Sequence, residues 1–269
     1  MILKKDKVTS RSSFQNCLYH RANYGVRNSM MQVKAVLFDL FDTLLLLEEG
    51  DAFYTPSLKR LHEFLTENAI NVSFGDFRRV YFEVRDELYA RFGKSLEDPH
   101  FRVRVSGTLR RLGYGFEESH PIVVGAVGAF ADEFMRYVSL DNDALDVLQK
   151  LRRRFKLGVV SNFAMPECAW QLLDQFGLRE FFEVVLISAE VNMRKPSHKI
   201  FDMALRILGL EASEAIFVGD TPGPDVRGPR SVGMKAVLIE RRPMKRISNA
   251  KPDKIIRRLT DLLDLLEVC

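Results

Sequence analysis

The chain has 269 residues, of which 46% are hydrophobic and 28% charged, with a formal net charge of +4. That balance fits a well-packed globule of one large domain or two smaller ones, and no internal repeat or low-complexity stretch is evident. No apolar run approaches the roughly 20 residues that span a bilayer, and no basic patch interleaved with aromatics marks a nucleic-acid footprint.

The excess positive charge comes partly from the N-terminal tail and from Arg241–Arg258, and is read as solvated surface. Residues 1–30 are basic and Ser-rich but lack the apolar stretch of a secretory signal. They are expected to be a disordered extension ahead of a natural start at Met30 or Met31; a mitochondrial-type presequence is the weaker reading. Cys17, Cys168 and Cys269 form no CxxC pair and are expected to be free thiols in a reducing cytoplasm.

In chain order, the first strong element is Val33–Phe38, short, apolar and rich in β-branched residues, which predicts a buried strand. It breaks at Asp39-Leu40-Phe41-Asp42-Thr43. From Asp51 to Tyr137 the spacing turns helical: Leu58, Leu61, Phe64 and Leu65 share one face, and Phe77, Val80, Tyr81, Val84 and Leu88 another. Gly75, Pro99 and Gly113–Gly115 punctuate this stretch, and Pro121–Tyr137 reads as its last helix. About four helices and no strand are expected there.

Beyond Tyr137, helices and strands alternate. Asp141 is expected to cap a helix running to Arg154. Strands are expected at Leu157–Val160, Val184–Ile187, Ala215–Val218 and Lys235–Ile239, with helices at Glu167–Phe176 and Ser197–Leu208. Such alternation implies parallel strands joined by right-handed crossovers. The fold class is therefore α/β: a Rossmann-like parallel sheet from residues 31–47 and 138–269, interrupted by a helical cap at 48–137.

Ligands of open α/β sheets bind at the carboxyl ends of the strands. Those ends carry Asp39, Ser161, Asn162, Asp220 and Asp225, and Lys195 follows shortly after another strand. Asp39 can act as a carboxylate nucleophile. Three converging carboxylates stay ionised together only around a cation, and an all-oxygen set suits Mg²⁺. Lys195 can steady the nucleophile, and Ser161 and Asn162 can hydrogen-bond phosphoryl or carboxyl oxygens. Each residue alone would be an ordinary turn or surface group; their joint placement at successive strand ends of one sheet is what points to a site.

The order of these motifs resembles the haloacid dehalogenase superfamily. Phe38-Asp39-Leu40-Phe41-Asp42-Thr43-Leu44 is similar to its first motif and Val159-Val160-Ser161-Asn162 to its second. Arg194-Lys195-Pro196 is similar to its third, and Val218-Gly219-Asp220 through Asp225, followed by Gly228 and Gly233-Met234, to its fourth. The resemblance spans about residues 33–240 and implies roles for each position. Asp39 would be the nucleophile, Thr43 and Ser161 would bind the transferring phosphoryl group, and Lys195 would steady Asp39. Mg²⁺ would be held by Asp39, the Phe41 carbonyl and Asp220, with Asp225 supporting the metal.

One position departs from the pattern. The phosphatases of the superfamily carry a second aspartate two residues after the nucleophile, as general acid and base; here Phe41 stands there. Its 2-haloacid dehalogenases also lack that aspartate, but they use no metal and usually carry a small polar residue where this chain has Asp220. The extra carboxylate favours a metal, and a metal favours phosphate. The expectation is a Mg²⁺-dependent phosphatase of small phosphorylated metabolites, cytoplasmic, monomeric or homodimeric, binding neither membrane nor nucleic acid. A metal-free 2-haloacid dehalogenase and a catalytically silent binding protein are the alternatives. Loss of the acid-base group typically costs about 10²–10⁴ in rate, so activated esters and acyl phosphates should be preferred. In the cap, Arg78, Arg79, Arg85, His100, Arg102 and Arg104 are candidate specificity groups; Tyr54, Tyr81, Tyr89 and Trp170 are read as core, and His62, His120 and His198 as structural or exposed.

Overall fold

The computed structural model describes residues 33–48, 52–241 and 251–268, which belong to one unit, Val33–Cys269. The N-terminal extension, Cys17 and Cys269 lie outside the described residues; Cys168 is a buried free thiol whose pKa burial pushes up to about 12.

Among the described residues, six strands form one parallel sheet: β1 (Ala35–Phe38), β4 (Lys156–Ser161), β5 (Val184–Ile187), β6 (Ala215–Gly219), β7 (Lys235–Ile239) and β8 (Lys254–Ile256). Their order is β5-β4-β1-β6-β7-β8, so β1 is central and the chain leaves it first to one side and later to the other. The near-continuous apolar runs seen in sequence follow from burial on both faces. Alternation divides them: Val36 and Phe38 join the large cluster with Val159, Ile216 and Val218, whereas Ala35 and Leu37 join Val160, Phe217 and helix residues Ile200, Phe201 and Ala204.

Among the described residues, four helices interrupt the core, α1 (Tyr54–Glu67), α2 (Phe74–Phe92), α3 (Phe101–Arg111) and α4 (Pro121–Met135), and α1 packs chiefly on α4 and α2 on α3. Their buried residues are those of the helical periodicity: Leu58, Leu61 and Leu65 on α1, and Phe77, Val80, Tyr81 and Val84 on α2. The helices hang from a two-stranded antiparallel ribbon, β2 (Leu45–Leu47) and β3 (Val138–Leu140), which pairs Leu47 with Val138. This ribbon was absent from the sequence reading, as was β8, because three-residue strands carry too little periodicity to register.

The core helices include α5 (Ala144–Leu151), α6 (Pro166–Gln175), α7 (His198–Leu208) and the short α8 (Asp261–Leu265). The expected capping by Asp141 is corrected. Helix α5 begins at Ala144 behind Asp143; Asp141 instead accepts the Asp143 N–H at 2.9 Å and pairs with Arg241 at 2.8 Å. Its carboxylate is spent on a loop that matters to the site.

Candidate active site

Asp39 is the first residue past β1. Its N–H donates to the Val218 carbonyl at 2.8 Å, which extends the β1–β6 ladder by one bond and fixes the backbone at the sheet edge. Ser161 and Gly219 end β4 and β6 on either side. The three strand ends thus bring Asp39, Ser161 and Asp220 to one edge, as the topology dictates.

Lys195 reaches in from the loop after β5. Its Nζ lies 2.7 Å from Asp39 Oδ1 and 2.8 Å from Asp225 Oδ1. Lys195 and Asp225 keep only 1% of their side chains exposed, whereas Asp39 keeps 13%, so an incoming molecule can reach Asp39 and not the pair behind it. The Lys195 loop is braced by Asn162: its amide Nδ2 donates to the Lys195 carbonyl at 2.9 Å, and its Oδ1 accepts the Lys195 N–H at 2.7 Å.

Asp225 sits in the wide turn Pro222–Arg227, and its second oxygen accepts the Thr221 N–H at 2.8 Å. The turn can fold back this tightly because β6 ends in glycine: a Cβ on Gly219 would lie 2.5 Å from Asp225 Cγ. Asp39, Asp220 and Asp225 each offer a carboxylate oxygen, all within 4.8 Å of one another. Both Asp225 oxygens are already engaged by Lys195 and Thr221. Asp220 has the Thr221 hydroxyl at 3.3 Å, and among the described residues no ammonium or guanidinium hydrogen-bonds to it.

The electrostatics follow. Burial, then repulsion from Asp39, Asp225 and Asp42, pushes Asp220 up to about 7. Burial also dominates at Asp39, where Lys195 opposes it and Asp225 adds to it, and the result is about 6. Burial works against the Lys195 ammonium, but Asp225 and Asp39 outweigh it and raise its pKa. The cluster therefore carries more negative charge than its one lysine neutralises, and it is built of hard oxygen donors, which fits a divalent cation such as Mg²⁺.

Thr43 is fully buried in the loop after β1, four residues past Asp39, and among the described residues its Oγ1 has no hydrogen-bond partner. A buried hydroxyl without a partner costs about 1–3 kcal/mol, which a bound oxygen would relieve. Phe41 packs its ring against Phe163 at 4.6 Å and Phe134 at 5.8 Å, so an apolar wall stands two residues past Asp39.

Sequence alone does not single out Arg241, which reads there as surface charge. It donates to the Asp42 carbonyl at 3.3 Å and the Thr43 carbonyl at 2.6 Å, and so ties the loop after β1 to Asp141. Asp42 holds a left-handed φ of 52°, and its Oδ1 accepts the Leu47 N–H at 3.3 Å.

The helical insertion treats its candidates differently. Arg79 pairs with Asp76 and Glu83 and Arg85 with Asp86 on the helix surface. Arg78 lies over the Phe82 ring. His100 caps α3 through Nδ1 and meets Glu167, which also pairs with Arg102. Arg104 turns inward to the hydroxyls of Tyr81 and Tyr54, at 3.1 Å and 3.4 Å. Tyr81 is buried as expected, but Tyr89 is half exposed, which corrects its reading as core. His62 bonds the Val72 carbonyl and His120 caps α4, both structural roles; Trp170 is half-buried against the large core cluster and stacks under Arg179.

A model of the haloacid dehalogenase-like hydrolases matches residues 33–233. Glyceraldehyde 3-phosphate phosphatase of Methanopyrus kandleri is 34% identical over 247 residues, covering 87% of this chain and 97% of its own. Among solved structures, a 2-haloacid dehalogenase from Pseudomonas syringae pv. Tomato DC3000 superposes with a TM-score of 0.70 at 24% identity, covering 87% of this chain and 98% of that one. The HAD-hydrolase YfnB from Bacillus subtilis, bound to magnesium, superposes with a TM-score of 0.58 at 20% identity, covering 88% of this chain and all of that one. At such identity the two structures speak for the fold alone.

Proposed function

This chain belongs to the haloacid dehalogenase-like hydrolase family, and we propose that it is a Mg²⁺-dependent phosphatase of small phosphorylated metabolites with Asp39 as nucleophile. The observation that carries this reading is Asp220, a third carboxylate beside the Asp39–Lys195–Asp225 group with no cationic hydrogen-bond partner among the described residues. A metal-free attack on an anionic haloacid would have to work against that charge. The phosphatase similarity along nearly the whole chain supports the same choice.

Held by Asp39, Asp220 and the Phe41 carbonyl, with Asp225 behind them, Mg²⁺ would shield the charge of the transferring phosphoryl group. The protein supplies the rest. Lys195 holds the Asp39 carboxylate toward the opening while Asn162, as a positioning residue, fixes the Lys195 main chain. The Thr43 and Ser161 hydroxyls bond the phosphoryl oxygens. An Asp39 oxygen attacks phosphorus, the bond to the leaving oxygen breaks, and an aspartyl phosphate forms. Water then attacks phosphorus, the bond to Asp39 breaks, and inorganic phosphate leaves with the carboxylate restored.

Phe41 can neither protonate the leaving oxygen nor activate that water. Phosphates whose leaving group departs as an anion are therefore the preferred substrates. The helices at 48–137 act as the cap that shields the site, and the chain works in the cytoplasm on small diffusible substrates. The test is release of p-nitrophenol from p-nitrophenyl phosphate with Mg²⁺ or with EDTA, for the wild type and for Asp39→Asn. Mg²⁺-dependent release lost in the variant is expected. No release, with chloride freed from 2-chloropropionate without metal, would establish the dehalogenase chemistry to which Phe41 points.

A further inference from the structure

The loop between α2 and α3, residues 93–100, leaves the helical insertion and docks on the core. Leu96 accepts the Arg194 N–H at 2.8 Å, directly before Lys195, and the Phe101 N–H donates to Ala164 at 2.8 Å. Between these two main-chain bonds lies a side-chain chain. Asp98 Oδ2 accepts the Ser188 hydroxyl at 2.5 Å, and Ser188 Oγ accepts the Phe163 N–H at 2.8 Å. Ser188 is fully buried at the end of β5.

Phe163 is the residue after Asn162 and two after Ser161. Its ring is the one that presses on Phe41 at 4.6 Å. The turn after β4 thus has its upstream residues facing the site and its next N–H held by a serine whose proton is aimed at a carboxylate of the insertion. Without Asp98 the acceptor left to that hydroxyl among the described residues is the Phe163 carbonyl at 3.4 Å, a bond too long to fix its direction. Burial raises the Asp98 pKa, while the Ser188 hydrogen bond and the charges of Arg194 and Arg104 favour its ionised, proton-accepting form.

We propose that Asp98 and Ser188 are positioning residues: through them the helical insertion sets the Ser161–Phe163 turn, so that docking of the 93–100 loop and completion of the phosphoryl pocket are one event. The proposal rests on the phosphatase reading for the pocket's ligand, but the bond chain itself does not. A displacement of about 1 Å at a binding group can cost about 10²-fold in rate, so a clasp remote from phosphorus is expected to appear in turnover.

The experiment compares Asp98→Ala, Asp98→Asn, Ser188→Ala and the Ala double variant in the full chain, by kcat and KM on p-nitrophenyl phosphate with Mg²⁺ and by amide exchange at Phe163. Each Ala single should lower kcat by about 10- to 100-fold with KM within about threefold. The double should be no slower than the worse single, because one chain is broken twice. Asp98→Asn keeps an acceptor for Ser188 and should stay near wild-type kcat. Phe163 exchange should accelerate in both Ala singles and not in Asp98→Asn. Wild-type kcat in folded Asp98→Ala, or additive losses in the double, would overturn the proposal. Should Ser188→Ala not fold, the Asp98 pair on its half-buried loop decides the question. Should the wild type be inactive, that outcome counts against the phosphatase reading, and unchanged Phe163 exchange in Asp98→Ala would separately overturn the clasp.

Discussion

The Lys195 ammonium stands between two carboxylates, 2.7 Å from Asp39 and 2.8 Å from Asp225, and its own main chain is gripped by Asn162 on both sides of the peptide. One positive charge thus orients Asp39, the proposed nucleophile, and neutralises the buried group behind it. Removing it leaves both carboxylates uncompensated. Lys195→Ala should lose about 3–5 kcal/mol of stability, read as a lower urea midpoint, together with all measurable turnover. Lys195→Arg should not restore turnover, because a planar fork cannot occupy a pocket shaped for a point charge.

The charge imbalance predicts an unusual pH dependence. Asp39 and Asp220 are acids whose folded pKa values, about 6 and about 7, lie above their ordinary 3.8. The folded protein therefore binds more protons than the unfolded chain across that window, and stability falls as pH rises through it. In EDTA, the thermal midpoint should be lower at pH 8 than at pH 5. Mg²⁺ at pH 8 should reverse the trend, because binding the folded state raises its stability. Asp220→Asn should flatten the dependence in EDTA and abolish the Mg²⁺ response. A midpoint in EDTA that climbs from pH 5 to pH 8 would contradict this account of the cluster.

On the proposed mechanism, Phe41 sets the leaving-group preference. Phe41→Asp places a carboxyl two residues past the nucleophile, and should raise turnover of alkyl phosphates by up to about 10² while changing aryl phosphates much less. The ring contacts with Phe163 and Phe134 would be lost, at about 1–3 kcal/mol. Steady-state rates on a matched aryl and alkyl pair, with a denaturation curve for each protein, check both halves.

Gly219 permits the Asp225 turn. In Gly219→Ala the new Cβ would meet Asp225 carbon atoms at 2.5 and 2.6 Å, so the turn must shift and take the Lys195 partner with it. Turnover should fall by at least about tenfold, with a stability loss of about 1–3 kcal/mol from overpacking. Substitution at Gly177, whose added Cβ would meet nothing within 4 Å but whose φ is +64°, should cost stability without touching kcat.

Much of this was legible in the sequence for a physical reason: Asp39, Ser161 and Asp220 close apolar runs, and parallel strands buried on both faces place their ends on one edge. Lys195 instead lies on the loop that follows β5. The electrostatic detail did not. Asn162 could be assigned to the site but not to the Lys195 main chain, since its partner lies 33 positions away. Arg241, Ser188 and Asp98 carry no local pattern; their roles exist only once β7, β5 and the insertion loop are brought beside the first motif. Asp141 shows the converse, where a capping residue type met a stronger tertiary partner in Arg241.

The most direct test of the chemistry is a single turnover in H₂¹⁸O with enzyme in excess over p-nitrophenyl phosphate, followed by mass analysis of the peptide containing Asp39 and of the released phosphate. Attack of water on phosphorus predicts ¹⁸O in inorganic phosphate and none in Asp39. Label in the Asp39 carboxylate would mean that water attacks the carboxyl carbon, and would contradict hydrolysis at phosphorus.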